Sequence, residues 1–210
     1  MSESAFPPAI LCENDEFISA GGQDFRLNAC VGRQLPDYKG TNHYSEGFRV
    51  AARCLAEQVI EARNCDGLYV DIMIYPVFFL YRHAFELQLK LIIRAGLDLS
   101  GTTGTVQKTH KLADLWNDAR PLLEAIFPDL DWTQNNHVSR LIGEFSILDP
   151  NGEAGRYDRS RKGEKHFAHL ATINLHHFAQ VAEKLCDYFD EVMVALEETI
   201  DQRNDWACDR

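Results

Sequence analysis

The sequence predicts an all-α fold, an up-and-down bundle of four to five helices behind a short extended or β-hairpin arm. Apolar residues recur at spacings of three and four in five segments, as in amphipathic helices. The connections between these segments are short and polar, and a central segment is apolar on most faces. We therefore divide the chain into an N-terminal arm, residues 1–40, and a helical bundle, residues 41–210.

Composition limits the classes of function. The chain has 210 residues, of which 45% are apolar and 25% charged, which is typical of a globular protein. Its net charge of −11 opposes general binding to nucleic acid, so any such contact needs a local basic patch. We find no signal peptide and no apolar run long enough to span a membrane, and the six cysteines form no C-x-x-C pair. We expect a cytoplasmic protein without membrane contact.

The first two helices follow the arm, in which residues 25–31 alternate apolar and polar like a strand. Helix one is predicted over about residues 44–63. Helix two is predicted over about residues 70–95, with Gly96 as its C-terminal stop. Pro76 lies inside this second span, where it either opens the helix or kinks it.

The remaining helices are predicted over about residues 110–126, 133–148 and 165–203. Pro121 falls inside the first of these spans and could divide it into two short helices. Turn-forming residues open a loop at Asp149 that extends to about residue 163.

A stripe of polar residues interrupts the apolar central helix. Arg82, Glu86 and Lys90 are four residues apart, so they line one helical face, and His83 lies three residues before Glu86. Polar groups on a buried helix need partners or a solvated cleft, because unpaired burial is costly. We call these four residues the polar stripe.

Two interpretations of the polar stripe stay open. One is an internal ladder of ion pairs that sets the register of the helix. The other is a polar cleft or subunit interface in which Arg82 and His83 face a ligand, as in a small-ligand sensor. His110 and Asp114, at the start of the third helix, are candidate partners from another helix.

The residue order of this helix resembles a known family. The run from Pro76 to Lys90, with its Arg-His-x-x-Glu-Leu-x-Leu-Lys pattern, resembles the central helix of HEPN-like proteins. The segment at 110–116 also resembles these proteins, and the segments at 144–150 and 155–157 look like the region before the last bundle helix in one bacterial branch of the family. The resemblance spans about residues 44–195. It implies a compact, often dimeric bundle. Many such proteins are metal-independent ribonucleases of toxin–antitoxin or phage-defence systems.

The family resemblance also implies candidate catalytic residues. The signature of HEPN ribonucleases is an Arg, four to six residues and a His, and two such pairs meet across a dimer. Arg159 and Arg161 stand at these spacings from His166. The resemblance would make His166 the general acid/base and either Arg the group that stabilises phosphate charge. Neither Arg is followed by the Asn, His or Asp typical of the family, so a solvated basic loop is the alternative.

The same region is the densest basic cluster of an acidic chain. Beyond the candidate catalytic residues, we predict nucleic-acid contacts from Arg156, Tyr157, Lys162 and Lys165. Cations can bind a phosphate backbone, and Tyr157 could stack on bases, so RNA is a candidate partner of residues 156–165. The cluster could equally dock an acidic segment, such as the C-terminal end after residue 196 or a partner protein encoded nearby.

Metal and cofactor sites are not predicted. Among the histidines of the last segment, only His166 and His169 are one helical turn apart, and no third ligand is evident. No Gly-rich phosphate-binding loop is present. The sequence thus supports two hypotheses of function: a homodimeric HEPN-like protein that binds or cleaves RNA, and a non-catalytic module that dimerises or holds a partner protein.

Overall fold

The structure is a computed structural model that describes residues 43–62, 67–168 and 170–208. Its five helices are α1 (His43–Glu61), α2 (Gly67–Leu99), α3 (Leu112–Ile126), α4 (Thr133–Leu148) and α5 (Leu175–Cys208). Within these described ranges the fold is all-helical without strands, as the sequence predicts, apart from one isolated antiparallel bridge. The predicted arm, residues 1–40, and His169 lie outside the described residues.

Helix α2 is the centre of the bundle, because its side chains are apolar on most faces. It packs against α1, α3 and α5. Its Phe78 and Phe85 form an aromatic core with Phe145 of α4 and Phe178 of α5. The ring centroids of Phe78 lie 4.5 Å from Phe145 and 5.6 Å from Phe178, and those of Phe85 and Phe145 are 5.6 Å apart. These distances are in the range of favourable aromatic pairs.

Three residues that could interrupt a helix do not interrupt theirs. Helix α2 passes through both Pro76 and Gly96, and α3 continues through Pro121. Gly96 has a packing role instead, since a Cβ there would lie 3.1 Å from the Cβ of Leu122 on α3. The predicted helix end at Gly96 was wrong, since α2 continues to Leu99. The glycine is present because α2 and α3 approach each other closely at this position.

The start of the last helix was also predicted wrongly. Helix α5 begins at Leu175, whereas the sequence pattern placed the start at about residue 165. The Asn174 side chain accepts a hydrogen bond of 2.8 Å from the backbone N–H of His177, which is the geometry of an N-cap. The residues before Asn174 form turns, and their backbone hydrogen bonds go to loop partners.

Helices α4 and α5 are held apart over much of their length. Helix α4 packs on α3, whereas α5 packs on α1 and α2. The two helices meet where Phe145 contacts Phe178, at 6.0 Å between ring centroids, and where the Tyr188 hydroxyl donates to Asn135 Oδ1. Between these contacts lies a groove of about 530 Å³.

None of the helices in the described part of the chain combines the length and the apolar character that crossing a lipid bilayer requires.

We predict that Phe145→Ala lowers the free energy of unfolding by about 3–5 kcal/mol, because it removes the ring that connects α4 to α2 and α5. Ile147→Ala, on the same helix but 81% exposed, should change it by less than about 0.5 kcal/mol. Urea denaturation of both variants measures the difference. Equal effects of the two substitutions would contradict the role of Phe145.

Candidate functional site

Three residues of the polar stripe, Arg82, Glu86 and Lys90, form a charge cluster centred on the buried Glu86. Arg82 Nη1 donates to Glu86 Oε2 at 2.8 Å, and Lys90 Nζ donates to Glu86 Oε1 at 2.7 Å. His110 Nδ1 lies 2.8 Å from the same Oε1. Arg82 and Glu86 are each 3% exposed, so a ligand could reach them only by displacing these partners.

Arg82 connects this cluster to two loops. Its Nη2 donates to the backbone carbonyl of His110, just before α3, and its Nε lies 2.9 Å from Asp149 Oδ2, just after α4. The other carboxylate oxygen of Asp149 accepts the backbone N–H groups of Glu153 and Ala154 at 2.7 and 3.1 Å. One guanidinium therefore orients the chain on both sides of the α3–α4 pair.

Gly152 is required where the second loop crosses the guanidinium. Its φ is +77°, and a Cβ there would lie 2.7 Å from Arg82 Cζ. A side chain at this position would meet both backbone strain and a collision with a planar group held by three partners.

The partners of Glu86 keep it ionised. Burial by itself raises the pKa of the Glu86 carboxyl, but hydrogen bonds from Lys90, Arg82 and His110 outweigh burial and lower this pKa to about 2.

Two residues expected near the cluster have other surroundings. His83 is half-buried between aromatic rings, with centroids 4.4 Å from Phe48 and 5.9 Å from Phe79, and burial lowers its pKa. The carboxylate of Asp114 accepts a long hydrogen bond of 3.4 Å from Thr109. The cluster thus includes His110, as the sequence predicted, while Asp149 takes the place expected for Asp114.

The predicted basic loop contains a small hairpin, residues 158–166, which we call the basic hairpin. Ser160 N donates to Glu164 O at 2.8 Å, and His166 N donates to Asp158 O at 3.0 Å. Arg159 and Lys165 form the bridge between these hydrogen bonds. The turn closes through Gly163, whose φ is +80°.

The hairpin geometry separates the candidate catalytic pair within one chain. Successive side chains of an extended segment point to opposite faces. Arg159 is directly opposite Lys165, so those two share a face, and the next residue, His166, lies on the other face. His166 Nε2 is buried and has no hydrogen-bond partner among the described residues. Arg159 and His166 of one chain therefore do not converge.

The other basic residues of this region differ in how strongly neighbouring groups bind them. Arg156 donates two hydrogen bonds to the Gly152 carbonyl, and its guanidinium stacks between the rings of Phe79 and Tyr157, 5.6 and 5.5 Å from their centroids. Arg161 is 92% exposed and pairs with Glu153 at 3.1 Å. These contacts make Arg156 largely structural and leave Arg161 available to solvent.

A second polar cluster was missed in the sequence. Arg49 of α1 donates to Glu183, Asp187 and Asp190 of α5, with 2.6 Å to Asp190 and 2.7 Å to Glu183. Tyr81 also donates to Glu183, at 2.8 Å. Burial disfavours the charge of Arg49, but hydrogen bonds to Glu183 and Asp187 outweigh it and raise its pKa. The sequence contained a signal for this cluster, because Glu183, Asp187 and Asp190 are spaced three and four residues apart along the last helix.

Comparison with known proteins assigns no function to these sites. The chain matches no family model, no curated protein and no solved structure. Over the described residues, no group of three or more His, Cys, Asp or Glu side chains is arranged to hold a metal ion.

The depressed pKa of Glu86 predicts acid sensitivity. An unfolded carboxyl of this type titrates near pH 4.5, so the stabilisation is complete above that pH and disappears as the pH falls toward 2. Between about pH 6 and about pH 3, the unfolding free energy of the unsubstituted protein should fall by about 2 kcal/mol more than that of Glu86→Gln. Urea denaturation at both pH values measures this difference.

Glu144→Gln is the control for this acid sensitivity, because Glu144 is exposed and its carboxylate only pairs with Arg140. It should keep the pH dependence of the unsubstituted protein. If Glu86→Gln kept it as well, the coupling of Glu86 to its partners would be disproved.

Proposed function

We propose that this chain is a HEPN-like helical bundle that binds single-stranded RNA through the basic hairpin. The resemblance of the central helix supports the family, and it implies a bacterial phage-defence or toxin–antitoxin setting. The hairpin supports the ligand, because it concentrates exposed cations in a chain whose net charge is −11.

The observation that carries this proposal is the pairing of Arg159 with Lys165. Two like charges directly opposite each other on an antiparallel pair repel and destabilise it. The carboxylate that pairs with Arg159 is that of the exposed Asp158, at 3.7 Å. An anion bound between the two cations would relieve the repulsion, and a phosphate has the charge and the acceptor oxygens for this.

The surroundings of the hairpin favour a nucleic-acid strand over a lone anion. Tyr157 is 58% exposed beside the hairpin, and an exposed aromatic ring can stack on an unpaired base. Arg161 and Lys162 extend the positive charge to the hairpin tip, where both are exposed. Stacking with several backbone contacts is the usual mode of single-strand binding.

Binding is favoured over cleavage by the geometry of the signature residues. General acid/base catalysis requires the His within hydrogen-bonding reach of the reacting group. In one chain, Arg159 and His166 lie on opposite faces of the hairpin, Arg161 pairs with Glu153, and His166 Nε2 is buried. We therefore propose a non-catalytic contact with RNA.

We predict that the triple variant Arg159→Ala, Lys162→Ala, Lys165→Ala loses salt-sensitive RNA binding. With three phosphate contacts, log K for a single strand should fall with log salt at a slope of about −2, and the variant's slope should approach zero. Fluorescence anisotropy with a labelled single-stranded RNA, repeated over a salt series, measures both slopes.

The matched control is the triple variant Arg94→Ala, Lys108→Ala, Lys111→Ala, which removes the same charge from exposed positions outside the hairpin. It should bind with the slope of the unsubstituted protein. If both triple variants lost RNA binding equally, net charge and not the hairpin would explain the loss. Co-elution with a neighbouring gene product in the absence of RNA binding would favour the protein-interaction hypothesis.

A separate prediction concerns cleavage. Purified protein and His166→Ala should leave total RNA equally intact, because His166 and Arg159 do not form a catalytic pair in one chain. Electrophoresis of RNA incubated with each protein tests this. Cleavage that disappears in His166→Ala would instead establish an endoribonuclease, with the arginine supplied by a second copy.

A further inference from the structure

The groove between α4 and α5 is independent of the basic hairpin and has a different chemistry. Its lining is mostly apolar, with the aromatic rings of Phe85, Phe145 and Phe178 among Leu141 and Val181. Its volume of about 530 Å³ is within the range of small-molecule sites. Such an apolar groove favours a hydrophobic ligand.

The groove is elongated along α4, which favours a linear occupant. Its lining extends along α4 from Gln134 to Leu148, about 21 Å at the helical rise per residue. A linear hydrocarbon chain can follow a groove of this length and contact its apolar lining.

The charge of the lining favours an anionic group on that ligand. In a chain with 32 Asp and Glu against 21 Lys and Arg, the groove is lined by two Lys or Arg side chains, Arg140 and Lys184, and by two histidines, His137 and His177. Its acidic lining residue is Glu144, whose carboxylate is bound by Arg140. The groove therefore has the opposite charge bias from the chain as a whole.

The position of Lys184 locates the head group. Contacts of Asn135 with Tyr188 and of Phe145 with Phe178 show that α4 and α5 are antiparallel. Arg140 and Lys184 are consequently level with each other along the groove. A carboxylate held at Lys184 leaves the part of the groove from the level of Arg140 to Leu148, about 12 Å along α4, for a hydrocarbon chain over Phe145 and Phe178.

We infer that the α4–α5 groove binds a free long-chain carboxylate, with its head group at Lys184 and its hydrocarbon chain on the aromatic floor. The inference does not depend on RNA binding, because the hairpin and the groove share no lining residue.

Calorimetric titration of the full chain with saturated carboxylates from octanoate to hexadecanoate, each below its micelle concentration, tests this site. Affinity should rise by about fourfold for each added methylene until the groove is filled. Primary alcohols of equal length should bind about tenfold more weakly. The absence of a chain-length dependence would overturn the inference.

Matched variants assign the binding to the groove. Lys184→Gln should remove the preference for the carboxylate over the alcohol, whereas Lys108→Gln should keep it. Val181→Asn should reduce affinity at every chain length, and Val194→Asn, on the same helix and 48% exposed, should bind normally. Thermal melts of all four variants report whether each one folds.

Two experimental outcomes would overturn the inference. Undiminished carboxylate binding by folded Val181→Asn would place the ligand elsewhere. Sedimentation could instead show that the unsubstituted protein is a dimer, that Val181→Asn is a monomer, and that carboxylates do not change either state. That result would assign the groove to a second copy of this chain.

Discussion

The buried ion pair between Arg82 and Glu86 is the constraint on which much of the structure depends. A guanidinium in a protein interior is costly unless carboxylates and other acceptors lie close enough to compensate its charge. Here Arg82 contacts the carboxylates of Glu86 and Asp149 and the carbonyl of His110. These partners come from α2, from the approach to α3 and from the turn after α4, so the planar fork of one arginine sets the relative positions of three segments.

The turn after α4 transmits this constraint to the surface. Asp149 uses one oxygen for Arg82 and the other for the N–H groups that begin the turn. Further along, Gly155 lies against α2 so closely that a Cβ there would be 2.8 Å from the Cβ of Phe79. The basic hairpin follows directly, so this exposed segment is connected to a buried support on α2.

The same turn accounts for the groove between α4 and α5. Because the chain after α4 is held on α2 and then forms the basic hairpin, α5 starts only at Leu175. Helix α5 then packs on α1 and α2 through Arg49 and its acidic partners, while α4 stays with α3. The two helices consequently meet at separate points, with an apolar groove between them that no described residue fills.

Periodicity determined most of the helical part of this fold. Helix α4 has the predicted bounds, and α1 and α3 agree with their predictions to within two residues at each end. The spacing of Arg82, Glu86 and Lys90 predicted that they share a face, since the geometry of one helix suffices to decide it. Local signals were misleading at Gly96, where packing against Leu122 decided the outcome.

Contacts between distant segments were decided only by the tertiary structure. The sequence did not reveal that Asp149 would reach Arg82, or that Arg49 would meet the acidic face of α5, because no local spacing relates residues so far apart. The positions of Arg159 and His166 on the hairpin depend on its register, whereas the sequence predicted a loop at Arg159 and the start of a helix at His166. By itself the sequence determined which residues form helices and which faces are apolar, because these follow from periodicity. Only the tertiary structure decided which charges meet, since burial forces each charge to find a partner wherever the packed chain provides one.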